Sequence, residues 1–386
     1  MPTLRFPGFT DEWETSRLSS YLIENKERNR NNEFGKDKVL SVSGEEGIVN
    51  QIEHLGRSFA GKSVSDYHVV RHGNIVYTKS PLKEYPYGIV KYNRGVDGIV
   101  STLYAVYESK DSSYGPFVEY YFALATRVNR YFKPIVRIGA KHDMKIGNEE
   151  VLENTVIFPN IEEQKKIADF LSLLDERIAL QSKLIEDLKK FKSAIVERLY
   201  GQSSSKVRLG AIIKQVSIRN RDGGEREVMS VSNRYGFIAQ SEQFEERLVA
   251  SEDTSNYKVI TPGVFAYNPA RINVGSIAQY KGDKPCIVSP MYICFECGKQ
   301  VNSDYLEYFF STKYFHREME KRLEGSVRLC LSFEALCNIS ISLHPIEQQQ
   351  KYSKVVNSIF DQIRIESDIL QEYQKQKLYF LSAMFI

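Results

Sequence analysis

Two long stretches of this chain repeat their apolar residues in steps of three and four. The first runs Leu171, Leu174, Ile178, Gln181, Ile185, Leu188, Lys192, Ile195, Leu199. The second runs Val356, Ile359, Ile363, Glu366, Leu370, Tyr373, Lys377, Phe380, Met384. Such steps keep one helix face apolar, and their seven-residue period makes that face a coiled-coil seam. Each helix extends over ~40 residues, roughly 60 Å at 1.5 Å per residue. That is long for a core helix and suits a spacer. Elsewhere the pattern shortens into β-branched and aromatic runs broken by Gly, Pro and Asn. His68–Thr78 and Lys258–Asn268 read as strands. Tyr/Phe-rich helices are expected around Phe117–Phe132 and Asp304–Leu323. Strands Thr155–Phe158 and Ile339–Leu343 then lead to a proline ahead of each long helix.

These paired descriptions reflect an internal duplication. Arg17-Leu18 recurs as Arg208-Leu209, and Arg28-Asn29-Arg30 as Arg219-Asn220-Arg221. Val39-Leu40-Ser41-Val42-Ser43 returns as Val228-Met229-Ser230-Val231-Ser232, and Gly73-Asn74-Ile75-Val76-Tyr77 parallels Gly263-Val264-Phe265-Ala266-Tyr267. Ile99-Val100-Ser101, Glu119-Tyr120-Tyr121-Phe122 and Ile161-Glu162-Glu163-Gln164 match Ile287-Val288-Ser289, Glu307-Tyr308-Phe309-Phe310 and Ile346-Glu347-Gln348-Gln349. The order never changes, and the separation drifts only from 191 (Arg17 to Arg208) to 185 (Ile161 to Ile346). Each repeat should open with a short helix, continue through strands and an aromatic helix, and close on a long helix. The boundaries this suggests are a domain over 1–158, a central helix over 159–204, a second domain over 205–343 and a terminal helix over 344–386.

The polar breaks in the two seams are equivalent: Gln181 with Glu366, and Lys192 with Lys377. Parallel pairing in equal register would set Lys192 against Lys377. Antiparallel pairing can set Lys192 against Glu366 and Gln181 against Lys377, with apolar residues meeting elsewhere. An unpaired charge in a seam costs several kcal/mol, so the antiparallel arrangement is expected. The alternative is that each helix packs only on its own domain. The expected fold class is α+β: two homologous mixed domains and two long helices in an antiparallel, pseudo-two-fold coiled coil.

Composition narrows the function. Lys+Arg number 52 against 49 Asp+Glu, a net charge of +3. A nucleic-acid binder of this balance must concentrate its cations locally. No basic-then-apolar leader opens the chain and no apolar run approaches a membrane span. Five cysteines make a disulfide framework improbable, so a cytoplasmic protein that does not engage a membrane is expected.

Leu4-Arg5-Phe6-Pro7-Gly8-Phe9 with Trp13 resembles the opening of type I restriction-modification specificity subunits. Pro159 with Glu162-Glu163-Gln164-Lys165-Lys166-Ile167-Ala168 and Leu174-Asp175 resembles that family's central conserved region. The second repeat keeps a weaker version, His344-Pro345-Ile346-Glu347-Gln348-Gln349-Gln350. The resemblance covers essentially the whole chain. It implies that each domain reads half of a split site on double-stranded DNA. It also implies that the helices set the spacing and dock two methyltransferase subunits, which bind S-adenosylmethionine. A restriction subunit that uses ATP with Mg is a further implied partner. The specificity subunit itself is implied to bind no cofactor and to catalyse nothing.

The residues agree with that last point. Asn268-Pro269-Ala270-Arg271 lacks the second proline and the aromatic of an amino-methyltransferase motif, and no phosphate-binding Gly-x-x-x-x-Gly-Lys-Ser/Thr occurs. No Pro-Asp pair marks a nuclease. Cys294-Phe295-Glu296-Cys297 could be half a zinc site, but the matching strand Tyr104–Glu108 has no cysteine, so no metal is expected. Positions shared by both repeats should be scaffold, partner-binding or phosphate-holding, whereas differing loop positions should read bases. Arg28, Arg30, Arg219 and Arg221 are therefore candidate phosphate or partner contacts, or else a solvated loop. Lys79, Lys83 and Arg94 in the first domain, and Arg234, Tyr235, Asn268 and Arg271 in the second, are the candidate base readers. Besides the DNA-reading adaptor, an autonomous two-domain DNA-binding regulator stays open, while the missing motifs argue against a catalytic DNA enzyme.

Overall fold

The computed structural model describes residues 2–82, 85–138, 144–201, 205–221, 223–224, 226–233, 235–240, 253–326 and 328–386. Two compact units result: residues 1–181 with 369–386, and residues 182–368.

In the first unit, Glu14–Arg17 pairs antiparallel with Thr155–Phe158. A four-stranded antiparallel sheet follows in the order Leu22–Glu24, Tyr104–Ser109, Ile75–Thr78, Val90–Tyr92. Beside it lie the hairpin Leu40–Ser43/Gly47–Asn50 and the pair His68–Val70/Gly98–Val100, linked by a Val39–Ile99 bridge. The second unit repeats each piece. Lys206–Arg208 pairs with Ser340–Ser342. One sheet runs Ile213–Val216, Ile293–Cys297, Phe265–Tyr267, Ile277–Gln279, and another Gly236–Ala239, Val228–Ser232, Cys286–Val288, Lys258–Ile260. The duplicated sequence therefore folds into duplicated topology.

Two sequence expectations change in detail. His68–Thr78 and Lys258–Asn268 are each two strands in different sheets, separated at Gly73 and Gly263, both at φ 92°. Glycine takes this left-handed conformation without a Cβ clash, so the chain can leave one sheet for the next there. Each aromatic helix is likewise two: Gly115–Tyr121 with Ala125–Phe132, and Ser303–Phe309 with Lys313–Glu320. In the second unit the break is set by Thr312, fully buried, whose side chain caps the second helix at Phe315 N. The expected opening helices are single 3₁₀ turns, Leu18–Ser20 and Leu209–Ala211.

Aromatic burial anchors each unit's core. Trp13, Phe117, Tyr121, Phe132 and Phe158 fill the first, and Phe265, Phe295, Tyr305, Phe309 and Phe315 the second. The long helices, Ile161–Gly201 and Ile346–Ala383, lock onto these cores through one repeated device. Gln164, fully buried, accepts a hydrogen bond from Tyr114 N at 3.0 Å and donates to Ser112 O and Pro159 O, both at 3.0 Å. Gln349, equally buried, accepts from Asn302 N at 2.8 Å and donates to Gln300 O and His344 O at 3.1 and 2.7 Å. Each glutamine thus satisfies the backbone where an aromatic helix begins. The first repeat adds a bond that the second lacks: Arg5 pairs with buried Glu163 at 2.7 Å, while the equivalent Gln348 is exposed.

The helix ends are equivalent too. Phe385 packs against Phe117 and Tyr121, centroids 5.3 and 6.2 Å apart, in the first unit. Tyr200 packs against Tyr305 and Phe309 at 4.8 and 5.4 Å in the second. Each repeat's long helix therefore ends in the core of the unit built mainly from the other repeat.

Within each unit the helices run antiparallel. The first unit pairs Phe170 with Phe380 (4.9 Å), Lys377 with Asp175 and Arg177 with Tyr373 (5.8 Å). The second sets Lys192 Nζ 5.4 Å from the Phe360 ring centroid. Between Leu171 and Leu199, and between Val356 and Met384, every seam position is buried or half-buried. The register corrects the expectation by about one heptad: Lys192 meets Phe360 rather than Glu366, and Lys377 meets Asp175 rather than Gln181. Asp175 lies off the seam. Flanking carboxylates can neutralise a seam lysine, which pairing seam positions only with each other overlooks, and this register also brings the Phe170 and Phe380 rings together.

Candidate nucleic-acid interface

The Arg-Asn-Arg segments fold alike. Their middle asparagine is the buried residue. Asn29, 1% exposed, donates to Phe34 O (2.8 Å) and Val64 O (3.2 Å) and accepts from Phe34 N (3.0 Å). Asn220, fully buried, donates to Gly224 O and Thr254 Oγ1, both at 3.4 Å, and accepts from Arg226. The asparagine pins the loop and leaves its neighbours at the surface. Arg28 reaches Asp66 O at 2.9 Å, and Arg219 reaches Asn256 Oδ1 at 3.1 Å. Arg30 and Arg221 are exposed.

Each arginine bridges to the first residue of the strand beside it: Arg28 to His68, Arg219 to Lys258. The sequence reading gave neither partner a role. His68 is 1% exposed, and its Nδ1 has no hydrogen-bond partner among the described residues. Burial, then the positive charges of Arg28 and Lys79, push its pKa down to about 4. Lys79 is half-buried. Its Nζ donates to Asn148 Oδ1 at 2.8 Å, and Asn148 donates to Glu24 at 2.8 Å. Burial and Arg28 lower the Lys79 pKa, while Glu24 opposes them. Arg28 and Lys79 therefore form one cluster around the buried, neutral His68, in which the two cations crowd each other. In the second unit Lys258 Nζ donates to Tyr292 O at 2.5 Å, placing its charge beside the Ser289–Tyr292 turn.

The remaining candidates separate. Asn268 and Arg271 share a turn beyond Phe265–Tyr267. Asn268 Oδ1 accepts from Ala270 N (3.0 Å), and its Nδ2 lies 3.5 Å from Met291 Sδ. Arg271 is exposed. Tyr235, 73% exposed, stands at a cleft of about 970 Å³ that Lys192, Lys281 and Phe360 also line. Arg94 lies elsewhere: it pairs with Glu119, 10% exposed, and its guanidinium sits 5.2 and 5.9 Å from the Tyr92 and Tyr120 rings. Tyr120 in turn donates to Asp175 of the long helix at 2.7 Å. Arg94 thus faces the helices, not the loop edge. Lys83 and Arg234 lie outside the described residues. Signals for the missed residues were present: His68 and Lys258 occupy equivalent places in the repeat, but they differ in type, so identity between repeats did not flag them.

The two cysteines of the expected half zinc site are turned apart by their strand. Cys294 and Cys297 are three residues apart on one strand, so their side chains leave opposite faces. Cys294 belongs to the core around Val288 and Cys297 packs against the one around Phe295. Burial raises their pKa values to about 11 and about 12. Among the described residues no group of three or more His, Cys, Asp or Glu side chains could hold a metal, and no helix is long and apolar enough to cross a membrane.

The sequence signature described as the type I restriction modification DNA specificity domain matches residues 10–190. The Type I restriction enzyme MjaVIII specificity subunit of Methanocaldococcus jannaschii is 25% identical over 60% of this chain and 61% of that protein. The putative MjaX specificity subunit of the same organism is 22% identical over 68% and 65%. The aligned part of this chain thus spans less than two thirds of the length of either relative. The crystal structure of the type I restriction-modification S subunit from M. genitalium matches with a TM-score of 0.59 at 15% identity, over 100% of this chain and 99% of that one. A chain from a structure on complex assembly and conformational transition of the type I R-M system matches with a TM-score of 0.55 at 15% identity, over 96% and 97%. At such identities these two matches speak for the fold. Residues 10–190, just under half of the chain, thus carry the signature of the type I restriction modification DNA specificity domain, and the chain is similar in sequence and in fold to type I specificity subunits.

Proposed function

We propose that this chain reads a split, asymmetric DNA target, one half per unit, for a type I restriction-modification assembly, and that it performs no catalysis itself. One observation carries the reading: both units present the same loop edge on the same topology, with different side chains at its tips. Arg28, His68 and Lys79 stand where the second unit has Arg219, Lys258 and Asn268–Arg271. Shared arginines suit the phosphate backbone, which is the same everywhere, and the differing tips suit bases, which are not. The crowding of Arg28 and Lys79 would be relieved by a phosphate oxygen, which suits this edge to DNA.

Two methyltransferase subunits, which bind S-adenosylmethionine, dock on the long helices. Restriction subunits that use ATP with Mg join the same assembly. The support is a second apolar surface outside the seam. Leu173, Leu180, Leu378 and Tyr379 stand exposed on the helices of the first unit, and Leu184, Phe191, Val355 and Ile365 on those of the second. Each unit thus leaves apolar side chains on its helices open to a partner.

The test is a domain exchange. Residues 207–342 are replaced by the matching segment of a relative with another target, and the methylated motifs of the host genome are sequenced. One half of the motif should change and the other stay. A continuous motif, or an exchange that rewrites both halves, overturns the reading.

A further inference from the structure

Both units carry an apolar side chain at the tip of an equivalent tight turn. In the first unit Tyr104 N donates to Ser101 O at 3.1 Å, closing the turn Ser101-Thr102-Leu103-Tyr104. In the second, Tyr292 N donates to Ser289 O at the same distance, closing Ser289-Pro290-Met291-Tyr292. The first and last residues are identical in type, and the third is Leu103 or Met291, each 60% exposed. Tight turns favour Gly, Asn, Asp and Ser near their tips. Among the described residues, packing does not explain a large apolar side chain there in both repeats.

The surroundings give it one. Leu103 O accepts from Lys79 N at 3.0 Å, so the leucine adjoins the Arg28–Lys79–His68 cluster. Met291 precedes Tyr292, whose carbonyl holds Lys258, and its sulfur lies 3.5 Å from Asn268 Nδ2. Each tip is therefore an apolar group beside cations, and Met291 also touches a hydrogen-bonding side chain. On the major-groove surface of DNA, thymine's 5-methyl is the one apolar group that base pairs present. Within one A·T pair thymine O4 separates it from adenine N6 and N7, the atoms an asparagine amide recognises. Asn268 and Met291 are close enough to address one such pair together.

We infer that Met291 and Leu103 are specificity-determining residues that contact a thymine 5-methyl group, one in each half of the target, with Asn268 reading the adenine paired to the thymine under Met291. The inference rests on the reading of the edge as a DNA reader. The target is first obtained as the methylated motif. The chain in complex with its methyltransferase partners is then titrated with duplexes in which each thymine in turn is replaced by deoxyuridine, which removes only the methyl. One replacement in each half should weaken binding by about fourfold, the scale of one buried methyl. Met291→Ala should abolish that sensitivity in one half alone, and Leu103→Ala in the other alone. Both residues are exposed, so folding is retained, and the deoxyuridine arm alters no protein atom.

Specific binding that tolerates deoxyuridine at every position overturns the inference alone. So does a half-target without an A·T pair, or sensitivity that survives both substitutions. A 2-aminopurine beside the sensitive thymine that brightens on binding also overturns it, because it shows a wedge between base steps instead of a methyl contact. A complex with no sequence preference overturns the DNA-reading proposal and this inference with it.

Discussion

Replacing Gln164 with alanine removes three hydrogen bonds at once. Tyr114 N loses its acceptor, and Ser112 O and Pro159 O lose their donor. The site is fully buried, so these groups stay desolvated unless water enters the space the side chain leaves. An unsatisfied buried group costs roughly 1–3 kcal/mol, and the lower end of that range for three groups gives about 3 kcal/mol. Tyr114 is the residue from which the helix Gly115–Tyr121 starts. That helix carries Phe117, whose ring centroid lies 6.3 Å from that of Trp13. The chain has one tryptophan, 8% exposed in the core of the first unit, so its fluorescence reports that unit selectively. With a urea slope of about 2–3 kcal/mol per molar, the Trp13 transition should move down by about 1 M. Gln349→Ala removes the equivalent three bonds in the second unit and should move the Trp13 transition less. A transition unmoved by Gln164→Ala, or moved equally by both substitutions, would show that the clamp does not hold the first unit's core.

Two further outcomes concern the first unit. His68 has a folded pKa of about 4 against an ordinary value of 6.5, so the unfolded state takes up its proton first; the stability it confers is complete above pH 6.5, declines as pH falls towards 4 and levels below that, by up to about 3 kcal/mol. In His68→Leu that part of the pH dependence of the Trp13 urea midpoint should vanish, and a profile identical to the parent's would refute the assignment. Deleting residues 381–386 removes Leu381, Met384 and Phe385, each under 5% exposed in the first unit's core, at a cost above about 5 kcal/mol; calorimetry should show the first unit unfolded or melting far earlier, and an unchanged melting profile would contradict the packing.

The duplication made most of the fold legible. Each matched segment proved to be a matched strand, turn or helix, and the steps of three and four marked the seam faces correctly. The register was less legible because it depends on residues outside the seam, such as Asp175, whose reach no periodicity expresses. The single strand expected across His68–Thr78 failed at Gly73 for a related reason: an unbroken β-branched run shows which residues are extended, and a left-handed glycine decides whether they stay in one sheet. At the candidate interface, pattern singled out Arg28 and Arg219 because both repeats keep them. It gave Asn29 and Asn220 no separate role, although burial shows that the asparagine fixes the loop and the arginines ride on it. Arg94 was chosen by type and position, but a buried carboxylate, Glu119, and two tyrosine rings draw it towards the helices. Charge alone could not reveal that competition.

Comparison of the repeats separates holding from reading because the two tasks constrain chemistry differently. A buried amide such as Gln164 or Gln349 must satisfy fixed backbone groups, and few other side chains place a donor and an acceptor at that length, so both repeats keep it. A turn such as Ser101–Tyr104 or Ser289–Tyr292 needs its closing hydrogen bond, and keeps its ends for that reason. Its third residue, 60% exposed in both repeats, is buried in neither core. There the repeats diverge in identity, Leu103 against Met291, yet agree in being large, apolar and exposed, at a position where folding favours a small polar residue. When internal packing supplies no reason for such agreement, the constraint comes from outside the chain. Since the neighbouring groups are the cations Arg28 and Lys79 in one unit and Arg219 and Lys258 in the other, the external surface that fits is anionic at its margin and apolar at a point within it, as the floor of the major groove is wherever a thymine occurs.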